Sequence, residues 1–74
     1  MTYRTKIEFD TMHEATEFVS IVSKLPGKIV IVDNTGMKVN AKSVLGALYA
    51  MEFDELWCES ENDIYFHIKQ FAID

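Results

Sequence analysis

Residues 28–48 of this chain read KIVIVDNTGMKVNAKSVLGAL, and this stretch decides the fold. Its β-branched and aliphatic start, Lys28–Asp33, predicts a strand that is buried on at least one face. Asn34–Gly36 is a turn signal, and the alternation of Met37–Asn40 predicts a second strand that pairs with the first as a hairpin. Ser43 has the residue type of a helix N-cap and stands before an apolar helical stripe. The segment therefore predicts strand, turn, strand and helix in that order.

The sequence on either side of this segment predicts further elements. Tyr3–Phe9 alternates between apolar and polar residues, which predicts a strand with one wet face. Thr11 and Glu14 fit a capping box, and an amphipathic apolar stripe follows them. Glu55–Glu59 predicts a fourth strand. Ile64–Phe71 has helical spacing but is rich in β-forming residues, so its periodicity leaves helix and strand both open.

The element order β-α-β-β-α-β-α predicts an α+β fold. In this open-faced β-sandwich, a four-stranded antiparallel sheet is covered by helices on one face and is wet on the other. The chain has 74 residues, of which 49% are hydrophobic and 26% are charged, and this composition is typical of one small globular domain. We therefore expect a single domain that spans residues 1–74.

Charge and cysteine content limit the classes of partner and the compartment. The chain has 12 acidic and 7 basic residues, a formal net charge of −5, which argues against nucleic acid and anionic membranes as partners. Its one cysteine, Cys58, has no second cysteine in the chain to pair with, and the first residues lack the apolar core of a signal peptide. These features predict a cytoplasmic protein.

Three segments of the chain, namely Ala15–Val19, Lys28–Asn40 and Ala41–Leu48, resemble the histidine-containing phosphocarrier (HPr) family of the bacterial sugar phosphotransferase system. Ala15–Val19 is similar to the start of the family's first helix. Lys28–Asn40 is similar to its strand-turn-strand unit, and Ala41–Leu48 is close to its Lys-Ser-Ile-Met-Gly-Val-Met block. The resemblance implies an HPr-like open-faced β-sandwich with three helices, in which the last segment is a helix. It also implies protein partners, namely a phosphotransferase-system kinase or regulator.

The family's phosphocarrier loop, Gly-Leu-His-x-Arg-Pro, has no counterpart in this chain. When the two are aligned at Ala15, Glu14 takes the proline position, His13 the arginine position and Thr11 the position of the phosphorylated histidine. The resemblance therefore predicts a divergent member that lacks the phosphocarrier centre. The alternative is a divergent carrier that uses His13, or Thr11 less readily. An exposed first-turn histidine and a capping threonine explain the same residues without phosphate.

Ser43 is the position at which the resemblance implies regulatory phosphorylation. A helix N-terminus accommodates phosphate because its free N–H groups and dipole favour negative charge. An ordinary N-cap serine is the alternative. The resemblance also implies that Val44, Leu45 and Leu48 dock partner proteins, and burial in the core is the alternative for these three. A plain interaction module without phosphorylation is a further hypothesis.

The remaining polar residues do not form a recognisable catalytic or metal motif. Cys58 lacks a zinc-ligand spacing to His13 or His67, and the acidic run between residues 52 and 63 fits no calcium loop. We therefore expect no cofactor, no metal and a non-catalytic protein, while the oligomeric state stays open.

Overall fold

A computed structural model describes residues 2–73, and the predicted domain's first and last residues lie outside this range. The chain folds as a four-stranded sheet with three helices. The elements are β1 (Tyr3–Ile7), α1 (Met12–Val22), β2 (Ile29–Asp33), β3 (Lys38–Asn40), α2 (Val44–Ala50), β4 (Leu56–Ser60), α3 (Tyr65–Ile68) and a 3₁₀ turn (Lys69–Phe71).

The sheet is antiparallel throughout, with the strand order β1-β4-β2-β3. One row across it joins Lys6, Trp57, Val32 and Lys38. Side chains on alternate residues, such as Ile31 and Cys58, belong to the core cluster on the opposite face. The predicted α+β class, the antiparallel sheet of four strands and the β2–β3 hairpin are therefore confirmed.

Helix α1 begins where the capping box predicted it. Thr11 Oγ1 accepts a hydrogen bond from the Glu14 N–H at 3.1 Å, and Glu14 Oε1 accepts one from the Asp10 N–H at 2.7 Å. These bonds satisfy donors that have no partner within the helix. After the helix, Gly27 turns the chain with a φ of 85°, a conformation that side-chain-bearing residues rarely adopt.

Three aromatic rings join the ends of the chain in the core. The centroid of the Phe18 ring lies 5.2 Å from that of Phe9 and 5.3 Å from that of Phe71. Phe9 leaves the sheet to make this contact, so β1 ends at Ile7 and is shorter than the alternation predicted. The last segment is helical, and the strand alternative for it is wrong because Ile68 and Phe71 must both face the core.

Candidate functional site

Ser43 is the N-cap of α2. Its backbone is extended, with φ −107° and ψ 124°, and its Oγ accepts a hydrogen bond from the Gly46 N–H at 3.2 Å. The predicted cap is therefore confirmed, and its hydroxyl lies at a half-buried helix start. Gly46 itself sits against β3, because a Cβ built on it would lie 2.8 Å from the carbonyl oxygen of Asn40.

Two lysines near Ser43 in sequence have other partners. Lys42 Nζ donates hydrogen bonds to the carbonyl oxygens of Leu25 at 2.7 Å and Gly27 at 3.0 Å. Lys38 Nζ lies 3.9 Å from Glu59 Oε1, in the row of side chains that faces away from the core. Each ammonium group therefore already has a contact away from Ser43.

The outward side of α2 is apolar. Leu45 is 80% exposed and Val44 is also exposed, whereas Leu48 is half-buried and packs against the core. Of the three predicted docking residues, Val44 and Leu45 are therefore exposed at the surface. Leu48 is partly exposed and partly a core residue.

Two further residues extend this surface. Tyr49 is 54% exposed, and its hydroxyl lies 3.9 Å from the sulfur of Met37, which is also exposed. The Tyr49 ring packs edge-on against Phe53, with centroids 5.5 Å apart. We name the set of Met37, Val44, Leu45, Leu48 and Tyr49 the α2 patch.

Sequence reasoning missed Tyr49 and Met37. Tyr49 follows Leu45 by four residues, so helical periodicity places both side chains on one face, and this signal could have found it. Met37 directly precedes β3, outside the helix, and only the tertiary structure brings it to Tyr49. A contiguous apolar surface of this kind is typical of protein interaction sites.

His13 and Thr11 lie at the start of α1. Both are exposed, and Thr11 Oγ1 already caps the helix. The His13 carbonyl oxygen accepts a hydrogen bond from Thr16 Oγ1 at 2.9 Å. This contact involves the His13 backbone and not its imidazole. Met12, between them, is 63% exposed and adds apolar surface at this end of α1.

Cys58 is buried in β4, where burial raises the pKa of its thiol to about 12 and the negative charge of Glu59 adds to the effect. Such a thiol is a core side chain without nucleophilic character at neutral pH. Within residues 2–73, no group of three or more His, Cys, Asp or Glu side chains is arranged to hold a metal ion. In the same range, no helix is both long enough and apolar enough to cross a membrane.

A cleft of about 470 Å³ lies between the end of β1 and the segment that joins α2 to β4. Four carboxylates line it, and one of them, Glu55, accepts a hydrogen bond from Lys6 Nζ at 2.8 Å. The cleft contains none of the predicted site residues, and its acidic lining is dispersed rather than convergent.

The geometry thus brings Ser43 and the apolar outer side of α2 next to each other, and leaves His13 at the start of a different helix. No family model, no curated protein and no solved structure matches this chain in the three comparisons.

Proposed function

We propose that this chain is an HPr-like interaction module related to the sugar phosphotransferase system. It docks a partner protein through α1 and the α2 patch, and phosphorylation of Ser43 switches that docking. The observation that carries the proposal is the 80% exposed Leu45, two residues after a capping serine, on a helix whose inward residues Ala47 and Ala50 are fully buried.

The small inward residues of α2 support the docking role. Ala47 and Ala50 let the helix lie close to the core, while the side chains of Val44 and Leu45 are exposed to solvent. Burial of an exposed leucine in an interface contributes about 1.5–3 kcal/mol, since that is the cost of leaving such a side chain in water. Leu45 is therefore the expected anchor of the complex.

The position of Ser43 supports the switch. Phosphate adds up to two negative charges and three acceptor oxygens directly before Val44. Lys42 Nζ already donates to two backbone carbonyl oxygens, so a phosphate on Ser43 would compete with these contacts for it. A partner with an acidic surface would be repelled, and one with arginines would be attracted.

The phosphorylation is tested by intact mass. One sample receives the general phosphotransferase enzyme I and phosphoenolpyruvate, and a second receives the family's serine kinase and ATP. We expect one phosphate from ATP alone. Ser43→Asn should abolish it while keeping the helix cap, since asparagine caps as well as serine. Ser20→Ala, at an exposed serine of α1, is the matched control and should still be phosphorylated.

Two other results would replace the proposal. A phosphate gained from phosphoenolpyruvate and lost in His13→Ala would make the chain a divergent carrier. No phosphate in either sample would remove the switch and leave a plain interaction module.

Docking is tested separately, by calorimetric titration of the serine kinase against the unphosphorylated protein. Leu45→Asp should weaken binding by at least about tenfold, because it places a charge in the apolar contact. Phe66→Asp is the matched control, because Phe66 is 77% exposed on α3, outside the patch. Equal binding by both variants would show that the α2 patch is not the docking surface.

A further inference from the structure

The sheet has a second face whose side chains lie outside the core cluster. We call it the open face. Its centre is apolar, with Trp57 and the two valines of β2, whereas cationic side chains come from both edge strands. The open face consists of Arg4, Lys6, Val30, Val32, Lys38, Asn40, Trp57 and Glu59.

Cations pack on the aromatic centre from β1. The Arg4 guanidinium carbon lies 4.7 Å from the Trp57 ring centroid, and Lys6 Nζ lies 5.5 Å from it. Arg4 also pairs with Glu59 at 3.5 Å. On this side of the open face the charges are therefore already matched by partners within the chain.

On the β3 side of the open face, the lysines outnumber the nearby carboxylates. A cleft of about 460 Å³ opens there, between β3 and the turn before β2. We name it the lysine cleft. Three lysines line it, and none of its described lining residues is acidic, in a chain with 12 acidic and 7 basic residues. The lining residues are Gly27, Lys28, Ile29, Val30, Lys38, Val39, Asn40 and Lys42.

The charge of the lysine cleft is held in place by the fold. Lys42 Nζ is fixed by two backbone carbonyl oxygens, at 2.7 and 3.0 Å. Lys28 is exposed, and its backbone N–H donates to Glu61 Oε1 at 2.7 Å, which positions the residue without using its ammonium group. The Lys38 side chain is 61% exposed, and its contact with Glu59, at 3.9 Å, is at the limit of an ion pair.

Between the lysines, the cleft has an apolar side chain on the open face. Val30 is half-buried there on the open face, whereas Val39 lines the cleft from β3 with its side chain packed against the core. We propose that the lysine cleft binds an acidic peptide segment of a partner protein. An apolar side chain of that segment packs against Val30, and its carboxylates lie beside the three ammonium groups.

Charge favours a short acidic segment over a long polyanion. The neighbouring cleft shares Lys28 and Lys38 with the lysine cleft but is also lined by Glu59 and Glu61. A nucleic acid or an anionic membrane would extend over these carboxylates and be repelled, whereas a short peptide can end before it reaches them.

The test measures fluorescence anisotropy of a short labelled peptide with one phenylalanine flanked on both sides by glutamates. We expect the protein to bind it, and to bind more weakly as salt is raised. The double variant Lys28→Gln/Lys38→Gln should weaken binding by about fivefold or more, since two exposed charge contacts are lost.

The control is Lys24→Gln/Lys69→Gln, which makes the same change of net charge outside the cleft and should bind as the wild type does. Equal loss in the two double variants would refute the proposal, because net charge alone would then explain binding. Equal binding of a peptide with lysines in place of the glutamates would also refute it, as would preferred binding of single-stranded oligonucleotide or phosphatidylserine vesicles.

Self-association that is lost in Lys28→Gln/Lys38→Gln would refute it too, by making a second copy the occupant. The lysine cleft shares no residue with the α2 patch, so either proposal can fail without the other.

Discussion

Replacing Gly46 by alanine should destabilise the protein, although the same change stabilises an ordinary exposed helix. In an exposed helix interior, alanine is more stable than glycine by about 1 kcal/mol. Here the added Cβ would lie 2.8 Å from the backbone carbonyl oxygen of Asn40 and 3.5 Å from the Ser43 Cβ. The obstructing atom is backbone rather than the end of a flexible side chain, so α2 must move away from β3. Overpacking of this kind costs about 1–3 kcal/mol.

The clash therefore offsets or outweighs the gain in helix propensity, and Gly46→Ala should lower the free energy of unfolding by up to about 2 kcal/mol. Urea denaturation followed by circular dichroism measures this difference, with the slope of the transition checked for two-state behaviour. Ser20→Ala, at an exposed position of α1, is the control and should be neutral or slightly stabilising. A Gly46→Ala protein more stable than the wild type by about 1 kcal/mol, the ordinary gain in helix propensity, would refute the close approach of α2 to β3.

Three further predictions concern stability and reactivity. The Thr35 hydroxyl donates to Asp33 and holds the pKa of that carboxyl below its ordinary value of 3.8. Asp33 therefore stabilises the fold above a pH of about 4, and urea titrations should show this contribution vanishing as the pH falls through the folded pKa, with no such loss in Asp33→Asn. The Cys58 thiol, whose pKa burial raises to about 12, should not react with an aromatic disulfide reagent in the native protein and should react fully in urea; rapid native labelling would contradict its burial. Phe18→Ala should cost about 3–5 kcal/mol by urea denaturation, since Phe18 is fully buried between two other rings, whereas Phe66→Ala should change stability by less than about 0.5 kcal/mol. Similar losses in the two phenylalanine variants would contradict the assigned core.

Local signals in the sequence predicted the features that depend on neighbours along the chain. Thr11 and Ser43 cap the two main helices as their residue types indicated, because a cap bonds an N–H only three residues away. The conformation of residues 64–71 was not settled by such signals. It depends on Phe71 reaching Phe18, a contact between distant parts of the chain.

The candidate sites show the same division. That Val44, Leu45 and Leu48 are apolar is evident from the sequence, but which of them faces solvent depends on how closely α2 approaches the sheet. The partners of Lys42 could not be predicted either, because they are backbone carbonyl groups in the turn after α1. Lys42 is next to Ser43 in the sequence, but its ammonium group donates hydrogen bonds to carbonyl oxygens of a different segment.

The ring trio of the core has a consequence for synthesis of the protein. Phe9 and Phe18 are made early, whereas Phe71, the third ring of the trio, is made much later. A nascent chain that has been made up to residue 60 has both early rings but lacks their third partner. Because a domain this small gains its stability as one unit, it cannot fold stably until residue 71 has emerged. Until then, the apolar face of α1 is open to chaperones and proteases.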